Sequence, residues 1–446
     1  MTATNVKDKL GPMLIRFTES LAALREFVEL IEPHIEKYHE SIMENEPIAM
    51  IPMILAMKKL RPSHPFTTVF TEVSEERLRG LFDGEILIDE GGGEGDFSMK
   101  VSGFHAATWR RTLTMLNRSK AQIDHLYRSS LISLVTTSEW FVSQMITSYH
   151  RLFPEMISGR DKVLSLDDVM TFGGIDEVRE HLIACRVEDI MRGPFTDWLK
   201  FFKEKPKLSA SYIDGEMDDL VEIFQRRNLL VHNGGIVNSI YMSRVSSKHR
   251  NGLVVGSEIK VDREYLDNAT SALEACLILL CAELWKKLDS ADLERAHVLM
   301  TVGYEHMMRE RWNIAERCYA FVARDVAQEE ASRLASMINQ WQCKKWRGED
   351  IASEVKSYDF SAKERKYILA SMVLLEDIEG SLALARELIG SGALTVEDLQ
   401  EWPLFRDMRR IERWVDMVDE FAQKGAAKSI AAPADEGDDT EVVGGT

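Results

Sequence analysis

The chain has 446 residues, 45% of them hydrophobic and 29% charged, a composition that fits a globular protein of about three domains with a sizeable core. A formal charge of −18 excludes a broad polyanion-binding surface, because affinity for nucleic acid comes largely from neutralising phosphates; any contact with RNA has to be local. The sequence turns polar directly after Met1, and its longest apolar stretches, 47–57 and 275–282, fall far short of the roughly 20 residues that cross a bilayer, so a cytoplasmic protein without a membrane span is expected.

Residues 1–107 are expected to form a mostly helical N-terminal region. Leu21, Leu24, Phe27, Val28 and Ile31 recur at helical spacing, and Pro33 should break that helix before a Met-rich apolar segment containing Pro47 and Pro52. From Phe66 to Phe104 the pattern changes to short mixed elements around Gly91, Gly92, Gly93 and Gly95. A glycine-rich loop can cradle phosphate, but Asp89, Glu90, Glu94 and Asp96 would repel it and no Lys-Ser or Lys-Thr follows, so an acidic loop is expected.

Between about Thr108 and Met156 two long amphipathic helices are expected, the second running through Leu131, Leu134, Val135, Trp140, Phe141 and Met145 with Glu139 inside its apolar segment. Residues 178–202 follow, carrying Phe195, Trp198, Phe201 and Phe202. These aromatics suit a core and, beside lysines, could instead stack on bases. Another helix should run from about Gly215 to His232. After a β-prone passage through Val254, Val255, Ile259 and Val261, a closing helix should span 262–288.

The helix ending at His232 holds the most informative residues. Leu220, Phe224, Arg227 and Val231 are spaced by four, three and four, so Arg227 interrupts an apolar stripe. A guanidinium there has to meet a carboxylate, a phosphate or a second subunit, and Glu139 is a candidate partner. Gly234 and Gly235 supply the left-handed residue that ends a helix, which puts His232 in the final turn. Asn228 lies four residues before His232 and shares its face, where it can steady the imidazole or touch a ligand. Arg226 is a candidate supporting residue. Lys200, Lys203, Lys205 and Lys207 precede this helix, and Arg244, Lys248, His249 and Arg250 follow it, a distribution compatible with a solvated face or with local RNA binding.

Arg227, Asn228, an apolar triplet, His232, Asn233 and two glycines after an amphipathic helix resemble the R-N-x-x-x-H signature of the HEPN family, compact helical domains many of which are metal-independent endoribonucleases. The resemblance implies a helical domain over 108–288 and an active site shared between two copies of a homodimer. It also implies attack of a ribose 2′-OH on the neighbouring phosphate to leave a 2′,3′-cyclic phosphate. His232 would move the proton and Arg227 would hold the phosphate. Such enzymes commonly serve as toxins or as abortive-infection effectors in antiviral defence. Members neutralised by nucleotidyltransferases often carry a tyrosine two residues after the histidine; Gly234 stands there, so that arrangement is not expected. The opposing reading is a non-catalytic helical adaptor that dimerises through this domain, with Arg227 and His232 holding the dimer together; in a purely structural role Arg227 would pair with a buried carboxylate and His232 would satisfy the last carbonyls of its helix.

Beyond 289 the pattern becomes paired helices. Gly303, Tyr304, Trp312, Asn313, Ala315, Tyr319 and Val322 resemble the small-and-aromatic spacing of a tetratricopeptide (TPR) unit, and Leu374, Asp377, Gly380, Leu382, Ala385 and Leu388 resemble a second. A TPR-like region over 289–423 implies a protein or peptide partner, or a buttress for the dimer. The acidic stretch 424–446 is expected to be disordered. Five scattered cysteines read as buried thiols in a reducing compartment; with 11 histidines in no metal-binding spacing, neither a metal nor another cofactor is expected.

Overall fold

Helix α1 (Thr4–Asn45) and helix α4 (Ala106–Leu152) set the frame of a mainly helical fold. At 42 and 47 residues they extend roughly 63 and 70 Å at the usual helical rise. The computed structural model describes residues 4–60, 73–90, 97–157 and 165–431. The two long helices run antiparallel: Phe17 stacks on Phe141 at 4.2 Å, Glu32 accepts from Tyr127, His39 meets Ser119 and Glu46 meets Arg111. The cause is a shared four–three repeat. Leu10, Leu14, Phe17, Leu21, Leu24, Val28, Ile31 and Ile35 line α1, and Tyr127, Leu131, Leu134, Ser138, Phe141 and Met145 line α4.

This seam overrides two expected breaks. Helix α1 continues through Pro33, because Pro12 and Pro33 both face solvent, where water can satisfy the carbonyls they leave free, while Ile35 and Ile42 carry on the apolar face. The expected pair of helices in 108–156 is one, since no glycine or proline interrupts Ala106–Leu152. Conversely, the expected stretch 178–202 divides into α5 (Ile175–Met191) and α6 (Phe195–Glu204) at Gly193 and Pro194.

Between α1 and α4, helix α2 (Pro47–Leu60), helix α3 (Glu75–Phe82) and an antiparallel hairpin, β1 (Ile86–Glu90) with β2 (Phe97–Val101), pack around Trp109 and Leu116. The glycine-rich acidic loop, 91–96, lies outside the described residues. Helix α7 (Met217–His232) carries the motif, and α8 (Arg263–Leu288) closes the central bundle, starting where the Asp262 side chain accepts from Tyr265 N at 2.9 Å. By length and composition α8 could cross a membrane; here 78% of its most apolar window is buried in protein. The passage 254–261 forms no strand, only a single bridge between Ile236 and Glu258.

Helices α9 (Glu294–Met308) and α10 (Trp312–Ala323) follow, then α11 (Glu330–Trp346), α12 (Arg365–Leu374), α13 (Ile378–Gly390) and α14 (Glu412–Ala431). Gly303 is where α9 meets α10, and a Cβ there would lie 3.1 Å from the Tyr319 ring. One core runs from Leu10 to Val322 and another from Leu334 to Val418. The expected boundaries at 107/108 and 288/289 therefore cut through a continuous core, since α1 and α9–α10 pack on the same apolar side chains as α4 and α8. Residues 424–431 of the expected tail belong to α14, while 432–446 lie outside the described residues.

Candidate functional site

Helix α7 is held by Leu220, Ile223 and Phe224, all buried. Phe224 stacks on Phe195 at 5.1 Å and meets Trp198 edge-on at 5.3 Å. Phe195, Trp198, Phe201 and Phe202 are at most 7% exposed, so the aromatic cluster is core and offers no face to a base. The apolar stripe stops at Phe224: Val231, expected to continue it, is 47% exposed.

The helix ends at His232. Asn233 N and Gly235 N both donate to Leu229 O, at 2.9 and 3.0 Å, with Gly234 at φ +60° and Gly235 at φ +82°. Those left-handed positions require glycine. At Gly235 there is a second constraint, since a Cβ would sit 3.0 Å from the Arg128 guanidinium of α4. Backbone bonds from Val237 to Ser257 and from Ile259 to Gly235, each 2.8 Å, tie the following loop to this cap.

Arg227 donates from Nη2 to Glu139 on α4, with the two side chains 16% and 32% exposed. Its Nε is buried and unpartnered, and burial lowers the guanidinium's pKa, though an arginine stays charged. Arg226 serves a different network. Its Nε donates to Glu222 Oε1 at 2.7 Å, its plane lies 3.8 Å over the Tyr265 ring and its Nη1 donates to Lys260 O. Glu222, 1% exposed, also accepts from Tyr241 at 2.7 Å and Tyr265 at 2.6 Å. Burial, then the Glu222 charge, pushes both phenols up. Arg226 thus fastens α7 to α8 and to the loop that follows.

Asn228 is half-buried and His232 exposed. Arg227 and His232 are five residues apart, about 7.5 Å along the axis and roughly 140° around it, so within one chain they leave the helix in different directions. The basic residues do not converge on them. Lys203 pairs with Asp214 at 2.9 Å, and Lys248 and His249 each lie 2.8 Å from Asp219. Both acids are at or before the first turns of α7; Asp219 is about 20 Å along the helix from His232. Lys200, beside Glu204 at 3.9 Å, and Lys205, Lys207, Arg244 and Arg250 are exposed.

One residue near the cap carries no signal in the sequence. Arg128 pairs with Asp124 at 2.6 Å and with Glu258 at 2.5 Å; the second partner is 130 positions away, beyond any local pattern. Five cavities between the helices are lined by residues other than Arg227, Asn228 and His232. Cys276, Cys281, Cys318 and Cys343 are buried thiols, and burial raises Cys281 and Cys343 to about 12, so neither supplies a thiolate nucleophile at neutral pH. Among the described residues no three His, Cys, Asp or Glu side chains are grouped to hold a metal. No family model, curated protein or solved structure matches this chain.

Proposed function

We propose that the chain is a metal-independent endoribonuclease of HEPN type that acts as a homodimer in the cytoplasm. The observation that carries this reading is the end of α7: a half-buried guanidinium and an exposed imidazole on its last two turns, before a glycine cap. Their divergence of roughly 140° in one chain is the geometry that a second copy completes, each protomer offering His232 to a phosphate that both arginines approach. Exposed Val231, Ile236, Ile240, Val254 and Val255 on and beside the helix end supply apolar surface for that contact.

In the reaction, His232 takes the proton of a ribose 2′-OH or returns one to the leaving 5′-oxygen. Arg227 stabilises the charge that builds on the phosphorane. Glu139 engages one Arg227 donor and orients the fork; the guanidinium has five donors, so others are left for phosphate. Asn228, four residues before His232, positions the imidazole. A role as a toxin or antiviral effector, restrained until a partner on α9–α13 releases it, follows from the activity.

One observation favours the adaptor reading. The Arg227–Glu139 pair is what a purely structural arginine would also make, and Lys203, Lys248 and His249 are engaged by Asp214 and Asp219 at the far end of α7. Incubating purified protein with total RNA in EDTA, beside Arg227→Ala/His232→Ala, separates the two. Discrete fragments ending in cyclic phosphate from the wild type alone are expected. Identical RNA profiles from two folded dimers would overturn the enzymatic reading in favour of the adaptor.

A further inference from the structure

Helices α1 and α9 lie side by side in parallel, with Gly11 near Val298 and Glu26 paired to Arg309 at 3.0 Å. Between them is a groove of about 280 Å³, with Thr18 and Ala22 on one wall and Thr301 and Val302 on the other. His306 lines it and belongs to a buried polar cluster. Arg25, 6% exposed, donates to Glu274 Oε2 at 2.5 Å, and the other oxygen of the fully buried Glu274 lies 3.3 Å from His306 Nε2. Burial raises the Glu274 carboxyl, and His306 and Arg25 together outweigh it and hold the group below its usual range.

Three charged side chains in this groove have no ion pair among the described residues. The Arg311 side chain, half-buried at the turn after α9, has no hydrogen bond or ion pair with any described residue, and burial together with Arg25 and Arg309 pushes its pKa down. One to two turns back, Glu19 and Glu305 line the same groove, also without ion pairs among the described residues. His306, 4% exposed, lines it as well, and its Nδ1 has no partner. A desolvated arginine with no carboxylate is a cost that a fold meets only where something else bears on it. The carboxylates whose charge acts on Arg311, Glu274 and Glu29, are paired with Arg25 and Arg263.

We propose that this groove binds a small amphoteric ligand, its carboxylate on Arg311 and its ammonium group between Glu19 and Glu305. The planar guanidinium fork matches a carboxylate, the two glutamates disfavour a polyanion, and the volume admits a compact molecule with a short apolar middle. The site is separate from the end of α7 and does not depend on the reading of that helix.

The test is a thermal-shift and calorimetric titration of the full chain with 5-aminovalerate, valerate and pentylamine, repeated on Arg311→Met and on Glu19→Gln/Glu305→Gln. Saturable stabilisation by 5-aminovalerate at millimolar concentration is expected, about threefold tighter than by valerate. Arg311→Met should abolish it. Without ligand, Arg311→Met should melt at or above the wild-type temperature, because it removes a half-buried charge that has no ion pair; a lower melting temperature would make Arg311 a structural residue and overturn the proposal. So would the absence of any saturable shift, or equal shifts in wild type and Arg311→Met. Equal binding of valerate and 5-aminovalerate, or unchanged binding to the double glutamine variant, would remove Glu19 and Glu305 from the site.

Discussion

Replacing Glu222 by alanine should weaken the fold about as much as truncating a core residue of α7. The carboxylate is 1% exposed and accepts from three side chains, Arg226 at 2.7 Å, Tyr241 at 2.7 Å and Tyr265 at 2.6 Å. Hydrogen bonds to a charged acceptor contribute about 1.5–3 kcal/mol each, but they share one acceptor and are not additive. The greater cost comes from the Arg226 guanidinium, 13% exposed, left without its counter-charge; breaking one side of a buried pair costs about 3–5 kcal/mol. Arg226 keeps Lys260 O and the Tyr265 face, which offsets part of this. The expected loss is about 4 kcal/mol for Glu222→Ala and about 2 kcal/mol for Glu222→Gln, which retains an acceptor. Urea unfolding followed by circular dichroism reads both, with an unchanged denaturant slope showing that the native state is otherwise intact. A loss below about 1 kcal/mol for Glu222→Ala would refute the view that this network anchors the motif helix.

Three further outcomes are expected. His150 is 2% exposed with neither ring nitrogen partnered, and burial, helped by Arg186 and Lys205, lowers its pKa to about 4. The unfolded chain therefore binds this proton first. Stability should be unaffected above pH 6.5 and fall by about 3 kcal/mol as the pH drops from 6.5 to 4, and His150→Phe should flatten that slope in pH-dependent unfolding. Gly235→Ala should cost about 1–2 kcal/mol in thermal unfolding, combining a left-handed alanine with crowding against Arg128; a neutral substitution would show that the cap readily rearranges. Glu139→Gln should change stability by less than about 1 kcal/mol, since the pair is partly exposed, yet alter RNA cleavage by at least about tenfold if Glu139 orients Arg227; unchanged cleavage would make it a bystander.

The helical character of the chain, the end of α7 at His232 and the extent of α8 were legible because each rests on local chemistry: apolar spacing, a glycine pair and an aspartate cap. The burial of Phe195, Trp198, Phe201 and Phe202 was legible for the same reason. Pro33 misled because its cost is local whereas the seam that overrides it is shared with α4, about a hundred residues on. The signal was present, in Ile35 and Ile42 continuing the four–three repeat past the proline. Around the motif, the meeting of Arg227 with Glu139 could be anticipated from a charge lying inside an apolar stripe. The networks of Arg226 and Arg128 could not, because Tyr241, Tyr265 and Glu258 occupy loops and helices whose approach depends on the whole bundle. Nor could the continuity of the core across 107/108 and 288/289, where a change in sequence texture coincides with uninterrupted packing.

The antiparallel pairing of α1 with α4 also dictates an order of events during synthesis. Helix α1 emerges first, yet every partner of its apolar seam is made later: the second half of α4, then α8, and finally α9. Until Met308 has left the ribosome, the row from Leu10 to Ile35 has no complete surface to close against. A nascent chain halted before that point presents a long, sticky helix to its surroundings, the kind of segment that holdase chaperones retain. The central bundle can therefore be completed only after α8 and α9 have been made, and α7 reaches its final setting together with it.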